Sequence, residues 1–136
     1  MLDPTTRRNA ADGAKINNMN RPQTDQALSK PLVNDELIQE IVSRVLIATR
    51  PERIILFGSA ATGRMTHDSD IDLLILERDG GELRELAGRV HDTLAGLGVP
   101  FDVIVMPSER FEETKNVIGG IAYPANKYGR VIYEAA

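Results

Sequence analysis

The chain has 136 residues, 42% of them apolar, no cysteine and a net charge of −4. That length supports one hydrophobic core and excludes two domains of ordinary size, and the lack of cysteine excludes a disulfide framework or a thiolate-held metal. No run approaches the ~18 apolar residues of a membrane span, and an acidic chain without a basic stripe is a poor partner for a long nucleic acid.

Charge divides the chain. Residues 1–31 carry +2 and the remainder −6. The first segment is rich in Asn, Asp, Thr, Pro and Arg, has no apolar period and no signal-peptide core, and is expected to be a disordered leader. Met19 is an alternative start. Residues 32–136 are expected to form the folded domain. The absence of cysteine suits a reducing cytoplasm, the expected location.

The first predicted element is a helix, capped by Asn34 or Asp35. Leu37, Ile38, Ile41, Val42, Val45 and Leu46 recur at helical spacing along one face. Pro51 ends it, because the residue before a proline is pushed out of the helical region. Arg53–Phe57 reads as a short strand, and Ser59–Arg64 as a short helix opening at a Gly-Ser turn. Ile71–Leu76 is nearly continuous in apolar residues and reads as an interior strand. Gly80-Gly81 breaks the chain. Leu83, Leu86, Ala87, Val90, Leu94 and Leu97 then mark an amphipathic helix. Phe101–Val105 is a third strand, stopped by Pro107, and a helix over 108–116 follows. Glu109, Glu112 and Glu113 form its exposed face. A short helix around Ala122–Lys127 and a strand over Arg130–Tyr133 complete the chain. Tyr123, Tyr128 and Tyr133 are expected to pack this tail onto the sheet, and His67 and His91 to be solvated. There is no internal repeat. The alternating order implies an α/β fold, a small mixed sheet with flanking helices.

The stretch with unusual chemistry is Gly58–Asp72, "GSAATGRMTHDSDID". Asp70 and Asp72 lie two apart on a predicted strand, so period-two alternation puts both carboxylates on one face. Asp102 begins another apolar strand in the same way. If the two strands are neighbours, three carboxylates converge at one sheet end, where they repel unless divalent cations hold them. Hard oxygen ligands suit Mg²⁺ or Mn²⁺, and a pair of such ions is the clamp used for in-line displacement at phosphorus. The Gly58-Ser59 turn ends a strand and opens a helix, which aims free N–H groups at an anion.

Three other readings are weaker. A P-loop needs Lys and Ser/Thr after its second glycine, where this chain has Arg64 and Met65. An EF-hand needs glycine at loop position six, where this chain has Leu73, and its twelfth position is Asp79 instead of Glu. Aspartates that merely cap turns account for any one of the three, but not for all three together with the spaced Gly-Ser turn.

Gly58-Ser59, Asp70-x-Asp72 with Ser69 before it, and a distant Asp102 resemble the nucleotidyltransferase superfamily that includes DNA polymerase beta. The small size is similar to its minimal branch, often the antitoxin half of HEPN/MNT toxin–antitoxin pairs. The resemblance spans roughly residues 35–134, including the tail "IAYPANKYGRVIYE". It implies a polymerase-beta-like fold, ATP as substrate and two Mg²⁺ ions. It also implies that Asp70 and Asp72 bridge both metals. Asp102 would hold the catalytic one and help to deprotonate the attacking hydroxyl. Gly58, Ser59 and Ser69 would bind the nucleotide with Arg64 as helper. The implied reaction is transfer of AMP to a tyrosine of a cognate HEPN toxin. The chain departs from that pattern at Thr62, where family members often carry arginine, and at Lys127-Tyr128-Gly129, where they often read Arg-Glu-Gly. The alternatives are a subunit that neutralises its partner by binding alone, and a small-molecule nucleotidyltransferase, which usually needs an added acceptor domain.

Overall fold

The computed structural model describes residues 33–66 and 68–136. The expected leader, Met19 and His67 lie outside the described residues. Helix α1 (Asp35–Ala48) starts where Asn34 Oδ1 accepts the Leu37 N–H at 2.9 Å, an N-cap that satisfies one of the donors left over at a helix start. Strand β1 (Arg53–Phe57) follows, then the single turn α2 (Ser59–Thr62) and β2 (Ile71–Glu77). Helix α3 (Leu83–Leu94), extended by a 3-10 turn at Ala95–Leu97, leads to β3 (Phe101–Pro107). Helices α4 (Ser108–Thr114) and α5 (Ala122–Tyr128) and strand β4 (Arg130–Glu134) complete the described domain.

The four strands form one mixed sheet in the order β3-β2-β1-β4. β1 is antiparallel to β2 and β4, while β2 and β3 are parallel. α3 supplies the crossover that a parallel pair requires. Pro107 does not stop β3 early. It takes the last position, opposite Glu77, on an edge strand where a missing N–H is tolerated.

Alternation sorts the side chains onto two faces. On one, Ile54, Leu56, Ile71, Leu73, Ile75 and Phe101 pack with Ile41 and Val45 of α1 and Leu86, Val90 and Leu94 of α3. On the other, Ile55, Leu74 and Leu76 pack with Phe111 of α4 and with Ala122 and Ala125 of α5. The tail tyrosines do not all make that second contact: Tyr128 is 56% exposed. Small residues do it instead. A side chain on Gly129 would overlap the Ala125 carbonyl and meet the Ile55 methyl at 2.8 Å, so α5 ends pressed against β1. Among the described residues no helix is long and apolar enough to cross a membrane.

Candidate functional site

Asp72 enters the sheet because its neighbours carry it there. Ile71, Leu73, Leu74, Ile75 and Leu76 are all buried, and each fully buried aliphatic side chain contributes about 1.5–3 kcal/mol. That sum outweighs the desolvation of one half-buried carboxylate. Asp72 shares its face with Leu74 and Leu76, and Asp102 shares the same face with Ile104 and Met106. The two aspartates are direct partners across the parallel pair, and Phe57 is the partner of Asp72 on its other side. Phe57, Asp72 and Asp102 therefore form one row across three strands, at the end where β1 finishes and β2 and β3 begin.

Asp70 lies just outside β2, which begins at Ile71. Pairing runs out there: β1 ends opposite Asp72, and the chain turns away at Gly58. The Ile71 N–H bonds instead to the Pro100 carbonyl at 2.9 Å. Asp70 and Asp102 are exposed, whereas Asp72 is half-buried. Burial raises the Asp72 pKa above the usual carboxylate value, and the charges of Asp102 and Asp70 push it the same way. Among the described residues, none of the three aspartates takes part in a salt bridge.

The turn after β1 is built on Gly58, with φ 71° and ψ −152°, a region essentially reserved for glycine. Its bare α-carbon faces the Asp72 carboxylate. Its carbonyl accepts the N–H groups of Ala61 (3.1 Å) and Thr62 (3.3 Å), so the N–H groups of Ser59 and Ala60 are the ones that a helix start leaves unpaired. Ser59 is half-buried and its carbonyl accepts the Arg64 N–H at 3.0 Å. The Arg64 residue is exposed and, among the described residues, forms no salt bridge. Thr62 is also exposed, its hydroxyl 3.3 Å from the Gly58 carbonyl. The Ser69 hydroxyl is engaged in its own turn: it accepts the Thr66 N–H at 3.0 Å and lies 3.2 Å from the Thr66 hydroxyl.

A hard divalent cation suits this donor set. Asp72 and Asp102 are carboxylates on one face, the charges of Asp102 and Asp70 both act on Asp72, and none of the three is in a salt bridge among the described residues. The bare α-carbon of Gly58 leaves room that the Asp72 carboxylate occupies. Among the described residues, no three acidic or imidazole side chains are gathered closely enough to enclose an ion. The proximity of Gly58 to Asp72 has no local signal in the sequence, because it depends on register across the connection 58–70.

A two-strand acidic row beside a glycine turn, on a small mixed sheet with flanking helices, defines a polymerase-beta-like nucleotidyltransferase fold. A model of the nucleotidyltransferase domain matches residues 34–122, more than half of the chain, and the chain belongs to that family. No curated protein sequence matches it. Among solved structures it is similar to a toxin–antitoxin crystallised with AMP-PNP, at TM-score 0.54 and 20% identity over 72% of this chain and 73% of that one. It is similar to a mutant MntA–HpeT toxin–antitoxin, at TM-score 0.54 and 18% identity over 76% and 75%. A Sulfolobus solfataricus protein described as a nucleotidyltransferase also resembles it, at TM-score 0.50 and 20% identity over 73% and 78%. These likenesses, at 18–20% identity, show a shared fold.

Proposed function

We propose that the chain is a metal-dependent nucleotidyltransferase that moves AMP from ATP to a hydroxyl of a partner protein, a tyrosine of a cognate HEPN-type toxin, and thereby acts as an antitoxin in the cytoplasm. The observation that carries this reading is the pairing of Asp72 with Asp102 at the sheet end where the Gly58-Ser59 turn opens. Two structural relatives support it: one toxin–antitoxin was crystallised with AMP-PNP, and in the other the altered positions are two aspartates separated by one residue, each changed to glutamate.

In this reading Asp70, Asp72 and Asp102 would hold two Mg²⁺ ions, and the ions would supply the positive charge that a triphosphate and its leaving group need. The N–H groups after Gly58 and the Ser59 hydroxyl hold phosphate oxygens, with Arg64 within the same loop as a helper. Ser69 steadies the turn that delivers Asp70. Asp102, exposed at the edge strand, accepts the proton of the attacking hydroxyl. The new bond joins that oxygen to the α-phosphorus, the α–β phosphoanhydride bond breaks, and pyrophosphate leaves. Residues 32–136 carry the site, and the exposed Asp70 and Asp102 leave it open to a hydroxyl presented on the partner's surface.

The test incubates the chain with a candidate HEPN-type partner, sought first in the adjacent reading frame, ATP labelled on the α-phosphate, and Mg²⁺. Label is expected on a partner tyrosine with wild type and not with Asp70→Asn or Asp72→Asn. No label, together with neutralisation unimpaired in both variants, overturns catalysis in favour of neutralisation by binding.

A further inference from the structure

We infer that Gly58 is a positioning residue for Asp72, and that its missing side chain is what lets the Asp72 carboxylate occupy its place. Glycine at this position is ordinarily explained by the approach of a phosphate. The structure supplies a different neighbour. A β-carbon built on Gly58 would overlap Asp72 Oδ2 and would lie 3.1 Å from its carboxyl carbon and 3.5 Å from its β-carbon. The last distance is ordinary van der Waals contact; the others are not. What a side chain at 58 excludes is therefore the carboxylate group, not the strand that bears it.

The strand that bears the carboxylate cannot retreat, so relief has to come from rotation of the Asp72 side chain. Asp72 sits on an interior strand, in register with Phe57 on one side and Asp102 on the other. Its backbone is fixed by ladders to both neighbours, and Ile71 and Leu73 beside it are fully buried. Rotation toward Asp102 brings two like charges together. A methyl at 58 thus has to displace the carboxylate that is paired across the sheet with Asp102. Gly58 and Asp72 act as a unit: the turn that would grip phosphate also seats the acidic ligand. This rests on the nucleotidyltransferase reading only for what the carboxylate does; the steric coupling stands without it.

A double-mutant cycle on the full chain separates this contact from backbone strain. Gly58→Ala carries a positive-φ penalty in any background, whereas the clash exists only while the carboxylate is present. Thermal unfolding of wild type, G58A, D72A and G58A/D72A is measured without nucleotide or metal. G58A is expected to lower Tm at least twice as much in wild type as in the D72A background. If G58A does not fold, recovery of folding in the double variant is the expected result. An equal loss in both backgrounds, or two unfolded proteins, overturns the proposal. The second readout is Mn²⁺ binding without nucleotide, where no phosphate grip can contribute. Where wild type binds Mn²⁺, G58A is expected to weaken it at least tenfold, and unchanged affinity overturns the proposal. If wild type binds no Mn²⁺, the metal reading fails and the unfolding cycle alone decides the steric coupling.

Discussion

The two ends of the sheet are both acidic, but they handle their charge differently. At the far end, Glu52 accepts from Arg78 Nε at 2.8 Å and lies 2.6 Å from its Nη2. Glu134 lies 3.5 Å from Arg53 Nε, and Glu77 accepts the Thr49 hydroxyl at 2.9 Å. At the near end, Asp70, Asp72 and Asp102 have no such partner among the described residues. One strand, β2, carries both patterns. The difference shows that this protein can compensate acidic groups with its own side chains, and that it does so where no chemistry is assigned. In the proposed function, the uncompensated end is where divalent cations would bind.

Removing charge from the near end has the largest expected effect. Asp72→Asn should lower AMP transfer by a hundredfold or more, the scale on which a single electrostatic group acts in a site of this kind, while the variant remains folded by circular dichroism. Leu74→Ala breaks both ends together. Leu74 is fully buried beneath α4 and α5, and its truncation should cost about 2–5 kcal/mol in urea unfolding. Thr62→Arg places a cation on the turn beside Gly58. It should tighten ATP binding several-fold at low salt, with the gain fading at high salt as screening sets in. Calorimetry at two ionic strengths reads that change.

The far end should respond weakly. Burial raises the Glu77 pKa above its ordinary 4.5, against the Thr49 hydrogen bond, and the charges of Asp79 and Glu52 add to the rise. A raised carboxyl pKa adds stability below the unfolded value, and that contribution is lost as pH climbs through the folded value. Glu77→Gln should therefore melt slightly above wild type at pH 7, with the gap closing as pH falls through 4.5 and no change in transfer rate. Arg78→Ala removes a pair whose arginine side chain is 77% exposed. It should cost less than about 1 kcal/mol.

Much of the near end was legible before any fold was known. Asp72 and Asp102 could each be placed on a strand because the apolar runs that carry them are a local signal, and glycine at a strand end is a local signal too. The α/β order was legible for the same reason. What the residues alone could not supply was register. Asp72 opposite Asp102 requires β2 and β3 to be neighbours in phase, and Asp70 falls outside β2 because β1 runs out opposite Asp72. Tyr128 is exposed where the sequence leads one to expect packing, because an aromatic residue in a short tail has no period to orient it. Ala122, Ala125 and Gly129, which do pack, are small, and their contact with β1 is a matter of close backbone approach. The clash that fixes Gly58 is likewise a contact across the sheet, invisible to any window along the chain.

ATP binding measured by calorimetry with and without Mg²⁺, in wild type, Asp72→Asn and Asp102→Asn, tests most directly whether the uncompensated end is a cation-dependent nucleotide site. ATP should bind wild type at least tenfold more tightly with Mg²⁺ than in its absence, and either substitution should abolish that difference. ATP affinity that ignores Mg²⁺, or that both substitutions leave unchanged, would contradict it.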